Sequence, residues 1–156
     1  MKKLFLVVIA SAALSTNASA QVTRETNCTY QQCALGLAPV WNGLAVTRGE
    51  SEEQVGVLGF FWPGDVSRAF AGDRDALTAA RDAMAVRQTA AIMTDVGVVL
   101  AVTGIARGLF HQDWDKLSTA FTIAGGTAIV ASVPVQFAAD GYLSRAVWLF
   151  NRKFAR

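Results

Sequence analysis

Charge is what this sequence has least of. Lys, Arg, Asp and Glu make up 17% of the chain, against about 25% in an average soluble protein, so little polar surface is available to cover a globule. The net charge of +2 is too small to point to a nucleic-acid partner. Histidine occurs once, as His111, and cysteine twice, as Cys28 and Cys33. Two thiolates and one imidazole do not complete a four-ligand zinc site. Glycine-rich phosphate loops, metal-ligand clusters and nucleophiles with a matching base are missing as well. The sequence therefore predicts no metal, no cofactor and no catalytic residue, and an enzyme is not the reading it favours. The nearest approach to one is His111 beside Asp113 and Asp115, which lacks a third partner and reads as a solvated turn.

What the chain does have is apolar sequence, 53% of its residues. The opening "MKKLFLVVIASAALSTNASA" sets Lys2 and Lys3 before an apolar run and ends in small residues. It reads as a secretory signal peptide over 1–20, with Ala18 and Ala20 marking cleavage before Gln21. Roughly 136 residues then remain, enough for one domain. An exported chain meets an oxidising compartment, so Cys28 and Cys33 in "CTYQQC" read as a disulfide, with free thiols or a metal as the weaker alternatives. So short a loop gains little chain entropy and serves to pin a local turn.

Residues 21–64 predict a small β-rich head. Short apolar runs suggest strands over 34–40, 44–47 and 55–61, and Asn42-Gly43 is a hairpin signal because both residues tolerate positive φ. The aromatic tip Phe60, Phe61 and Trp62 is expected to rest either on a membrane surface or on the helix that follows. An amphipathic helix is predicted over 65–87, starting at Gly64-Asp65 or Gly72-Asp73, where Asp is a good N-cap. Leu77, Ala80, Met84 and Ala91 would lie on one face, and the helix would continue straight into the next segment.

Two windows are long enough to cross a hydrocarbon core of about 30 Å. The second, 117–139, "LSTAFTIAGGTAIVASVPVQFAA", is uncharged; the first, 88–110, carries only Asp95 and Arg107. With a short connection over 111–116, the two predict an antiparallel transmembrane hairpin. Residues whose numbers sum to roughly 226 then share a depth, which sets Asp95 near Ser132 and one turn from Gln136, with Thr94 adjacent. A mid-span carboxylate costs up to about 3 kcal/mol on insertion scales. A polar layer of Asp95, Ser132 and Gln136 would shield it from lipid, either as an interhelical hydrogen bond that fixes register or as part of an ion path in an oligomer. Small residues recur at helical spacing, namely Gly97 with Ala101, Gly104 with Gly108, Ala120 with Ala124 and Ala128, and Gly125-Gly126, which allows close helix approach. Pro134 is a potential kink in the second span.

The end, 140–156, predicts a basic amphipathic tail. Leu143, Ala146, Val147, Phe150 and Phe154 form its apolar face, and Arg145, Trp148, Arg152, Lys153 and Arg156 are the candidate lipid-interface residues. A signal peptide and two spans place this tail outside, although its basic residues favour the cytoplasmic side. A head longer than about 60 residues is largely exempt from that charge rule, so the signal peptide decides.

The segments "CALGLAPVWNGLAVTRG", "VGVLGFF" and "LSRAVWLFNR", together with the paired spans, make the chain resemble small exported bacterial proteins with a cysteine-led β-hairpin and two predicted transmembrane helices. That resemblance carries over no activity. The sequence thus predicts a mainly α membrane protein of the inner membrane, with its head facing the periplasm or exterior. Its expected role is structural or interaction-based, with membrane lipids as partners and a homo-oligomer or an envelope protein as a further one. The alternatives are an ion-conducting oligomer that uses Asp95 and a soluble secreted helical protein.

Overall fold

The computed structural model describes residues 28–111 and 114–154. The expected signal peptide and Arg156 lie outside the described residues. The chain is mostly helical, with a small three-stranded antiparallel sheet and two long apolar helices that run as an antiparallel hairpin.

The Cys28 and Cys33 sulfurs are bonded, closing a single helical turn, α1 (Tyr30–Cys33). That turn sits on the loop after Arg48, where the Gly49 and Glu50 amides donate to the Ala34 and Gln31 carbonyls. Gly49 has φ 64°, and a Cβ there would stand 2.7 Å from the Gln32 carbonyl oxygen, so this close stacking depends on glycine.

The sheet is a meander of β1 (Leu35–Val40), β2 (Gly43–Arg48) and β3 (Glu53–Gly59), in the order β1-β2-β3. The hairpin signal is correct in place and shifted by one in detail. Val40 pairs with Gly43, so the two-residue turn is Trp41-Asn42 and Gly43 opens β2. Gly43 has φ 152°, and a Cβ on it would collide with the Leu58 carbonyl oxygen. β3 stops at Gly59, two residues short of the expected end; Phe60 leaves the strand but still donates its amide to Asn42, and Leu58 bridges to Pro63.

Of the two candidate starts only Asp73 opens the α-helix; Asp65 heads a short 3-10 turn, so the helix expected from 65 begins at Arg74. Asp65 accepts from the Ser67 amide and hydroxyl at the head of a 3-10 turn (Ser67–Phe70), and Asp73 accepts from the Ala76 amide at the start of α2 (Arg74–His111). α2 runs unbroken for 38 residues, about 57 Å, joining the expected amphipathic helix to the first span. α3 (Lys116–Asn151) does the same with the second span and the tail. The tail is therefore not a separate interfacial helix. Its apolar face, Leu143, Ala146, Leu149 and Phe150, is buried in the protein's main core against Leu35, Val46, Leu58, Phe70 and the alanines of α2. Lipid is not the partner of that face. Pro134 lies exposed within α3, which continues through it.

The two helices meet along a seam of small residues. On α2 the buried positions Ala76, Ala80, Ala83, Arg87, Ala90, Thr94 and Gly97, the half-buried Ala101 and the buried Gly104 advance in steps of three and four, and on α3 Ser118, Gly125, Ser132, Ala139 and Ala146 recur every seventh residue. This is the period of a left-handed antiparallel pair. At Gly97, Ala101, Gly104 and Gly125 the backbones themselves touch, since a Cβ on Gly97 would come within 2.8 Å of the Gly125 carbonyl oxygen. The pairs Thr94 with Ser132, Gly97 with Ile129 and Gly104 with Thr122 all obey the register predicted for the hairpin. Ala120 and Ala124, by contrast, face outward, so that alanine row does not build the seam.

Adjacent glycines separate packing from helix propensity. A Cβ on Gly125 would strike the Ala101 amide, whereas one on Gly126 meets nothing within 4 Å. Gly125→Ala is expected to lose about 1–3 kcal/mol by overpacking, while Gly126→Ala is neutral or stabilising by up to about 1 kcal/mol. Chemical unfolding in detergent micelles, followed by helix circular dichroism, measures both.

Candidate functional site

Three polar levels punctuate the helix pair. At the first, Arg87 is fully buried on the seam and donates to the Asp140 carboxylate of α3. Its guanidinium carbon stands 5.0 Å from the centre of the Phe60 ring, which the bend after β3 lowers onto it. Its Nε and Nη1 have no hydrogen-bond partner among the described residues. Burial pushes the Asp140 carboxyl up from its ordinary value, and the Arg87 charge pulls it the other way. A guanidinium does not deprotonate in proteins, so the cation stays and depends on its one carboxylate.

At the second level the expected layer forms with one member exchanged. Thr94 donates to Ser132 at 2.8 Å, and Gln136 approaches Thr94 at 3.5 Å. Ser132 and Gln136 are therefore where the register places them, but Asp95 is not with them. The next residue along a helix is turned by about 100°, and that step carries Asp95 onto the exposed outer face. There it lines an open groove of about 610 Å³ together with Phe61, Trp62, Met84, Gln88 and Ile92. The carboxylate is thus beside the aromatic loop of the head and not between the helices.

The third level is the hairpin tip. Arg107 donates to Asp115 at 2.9 and 3.1 Å, and Asp115 caps α3 by accepting from the Ser118 amide at 2.7 Å. The Arg107 hydrogen bond, with that of Ser118, holds the Asp115 carboxyl well below the usual carboxylate range. The Trp114 indole closes over Gly108. His111 is the last residue of α2, and Asp113 lies outside the described residues.

Two basic residues of the tail, Arg152 and Lys153, are held by protein groups. Arg152 donates to Asp75 at 2.7 Å, and Lys153 stands 3.3 Å from the centre of the Phe150 ring, with Phe154 next to it. Arg145 and Arg152 line an open cleft of about 370 Å³ that also contains Asp75 and Asp82. Trp148 is exposed. Asn151, which the residue pattern did not single out, clasps the first strand: the Leu35 amide donates to its Oδ1 at 2.9 Å and its Nδ2 donates to the Leu35 carbonyl at 2.7 Å. The Arg87–Asp140 pair was also missed. Its signal was available, because Arg87 directly precedes the first apolar window, Asp140 directly follows the second, and the hairpin register sets them opposite one another.

The chain matches no family model, no curated protein and no solved structure.

A cycle of substitutions tests how far Arg87 depends on Asp140. Asp140→Asn leaves a fully buried cation without a counter-charge and is expected to destabilise by about 3 kcal/mol, the low end for breaking a buried pair, because Asp140 retains some exposure. The double change Arg87→Met/Asp140→Leu removes both charges and is expected to recover most of that loss. Denaturant midpoints of the single and double variants in one detergent give the answer.

Proposed function

We propose that the protein is a small exported membrane protein of the cell envelope, without catalytic activity, whose helical hairpin crosses the bilayer and whose β-rich head is presented at the outer surface to an envelope partner. One observation carries the membrane reading. In the most apolar 18-residue windows of α2 and α3 only 28% and 11% of the residues are buried, which favours a bilayer over a soluble core as their surroundings. Val99, Val102, Leu109, Phe110, Ile123, Val130 and Phe137 all point outward. Left in water, so long an apolar belt far exceeds what monomeric soluble proteins expose.

The charge pattern supports the same placement. Arg87 and Arg107 are separated by twenty residues of α2, about 30 Å of rise, which equals the thickness of a hydrocarbon core. Each is paired with an aspartate, Asp140 and Asp115. Because Asn151 holds Leu35, the head and the C-terminal end share one side of the membrane in this reading. Arg152 is neutralised by Asp75 and Lys153 is stacked on aromatic rings, which weakens the pull of the basic tail toward the cytoplasm. An ion-conducting oligomer built on Asp95 has only that residue's outward position in its favour.

Extraction and labelling test the proposal. The protein is expected to stay in the membrane pellet through an alkaline carbonate wash. Single cysteines at Ser51, Lys116 and Ser144, in a background of Cys28→Ser and Cys33→Ser, are probed with a membrane-impermeant thiol reagent on intact cells or spheroplasts. Ser51 and Ser144 should label and Lys116 should not. Labelling of all three, with release by the wash, would return the hairpin to the soluble class.

A further inference from the structure

The two most exposed tryptophans of the head lie at one end of its sheet. Trp41, in the β1-β2 turn, is 92% exposed and Trp62, after β3, is 87% exposed. They are neighbours in the fold, since Asn42 accepts the Phe60 amide and so ties the turn to the bend that carries Phe61 and Trp62. An exposed pair of indoles in a head this small calls for a partner that takes an apolar ring with a polar edge.

The sheet's contacts fix where that end points. Its far end, Leu35, is held by Asn151, next to Arg152 and so at the level of Asp75 on α2. Its near end delivers Phe60 onto Arg87. Asp75 and Arg87 are about 18 Å apart along the helix, and the six residues of β1 (Leu35–Val40) cover about the same length. The strands therefore run alongside the helix pair, and the Trp41 turn emerges at the Arg87 level, facing the apolar half of the hairpin. Trp62 reaches further still. It lines the groove that descends to Ile92 and Asp95, where the outer face of α2 changes from Arg81, Asp82 and Gln88 to Val96, Val99 and Val102.

We propose that Trp41, Phe61 and Trp62 form an interfacial anchor that seats the head in the headgroup boundary of a lipid bilayer, on the side of the hairpin where α2 carries Asp95. The occupant is lipid because the patch is continuous with the outward apolar belt of α2 and lies at the boundary between its charged and apolar halves. Tryptophan is the residue enriched at that depth, where its ring meets acyl chain and its N–H meets water and headgroup. The placement also accounts for Asp95. Its carboxylate opens into a groove walled by Phe61 and Trp62, through which water and headgroups reach it, and so it is not set bare among acyl chains. This inference rests on the membrane reading above.

Depth-dependent fluorescence tests it and separates the two claims. Four variants of the full chain each retain one of Trp41, Trp62, Trp114 and Trp148, with the other three replaced by Phe. They are reconstituted in phosphatidylcholine vesicles with and without bromine atoms on the acyl chain close to the headgroup. Trp41 and Trp62, as rings at the interface, should each be quenched by the bromine and be protected from aqueous acrylamide. Trp148, on the charged half of α3, should be unaffected by bromine and quenched by acrylamide. Trp114 reports the opposite end of the hairpin. Quenching of Trp114 by bromine, without that of Trp41 or Trp62, would overturn the anchor and leave the hairpin standing. No bromine quenching of any of the four, with release of the protein by alkaline wash, would overturn both. The side chains at 41 and 62 lie outside the core, so their replacement leaves it intact.

Discussion

The approach of two backbones at Gly97, Ala101, Gly104 and Gly125 is the constraint on which the remaining structure depends. A pair of helices each longer than 50 Å can slide or rotate unless something sets both freedoms, and a bulky seam sets them only loosely. Here the α3 backbone enters the space that a Cβ on Gly97 or Gly104 would occupy. Contact at that distance is lost with a shift of one residue or a turn of a few tens of degrees, so the seam fixes register and phase together. From that single fit the other levels follow: Thr94 meets Ser132, Arg87 meets Asp140, and Arg152 meets Asp75.

The two halves of the hairpin use that fit differently. On the head side, alanines of α2 and the larger Leu143 and Phe150 of α3 leave room for the sheet and the 3-10 turn to complete a core, with Phe70 and Phe150 edge to face at 6.0 Å. On the far side nothing among the described residues covers the pair, and most of its large outward residues are valine, isoleucine, leucine and phenylalanine. The buried Arg87 stands where one regime gives way to the other. Its single carboxylate partner and the Phe60 ring above it tie α2, α3 and the head together at one point.

Much of this was legible in the residues. Strong local signals placed the three strands within two residues and marked Asp73 as the start of α2, whereas the start at Asp65 led only into a 3-10 turn. The hairpin register followed from loop length alone. Helix phase did not. Thr94 and Asp95 are neighbours about 100° apart, and attention to the charge selected Asp95 for the interior when the smaller hydroxyl is what fits between close backbones. The alternation of three and four from Ala76 through Gly104 would have settled the phase, because it passes through Thr94 and misses Asp95. The tail shows a different limit. Its apolar face was read correctly, but periodicity says which face is buried and is silent on whether protein or lipid buries it. Partners distant in sequence, such as Asn151 with Leu35, leave no local mark at all.

The clasp between Leu35 and Asn151 also orders events in time. The two residues are 116 positions apart, and Asn151 stands in the last turn of the last long helix. While a ribosome is still delivering α3, the first strand has no carboxamide to close its edge, and the α3 share of the head's core, Leu143, Ala146, Leu149 and Phe150, does not yet exist. The head, although it precedes both long helices in the chain, thus becomes native only after α3 has formed. Until α3 is in place it waits as an open sheet held locally by its cysteine bridge, and the folding of α3 back along α2 completes it.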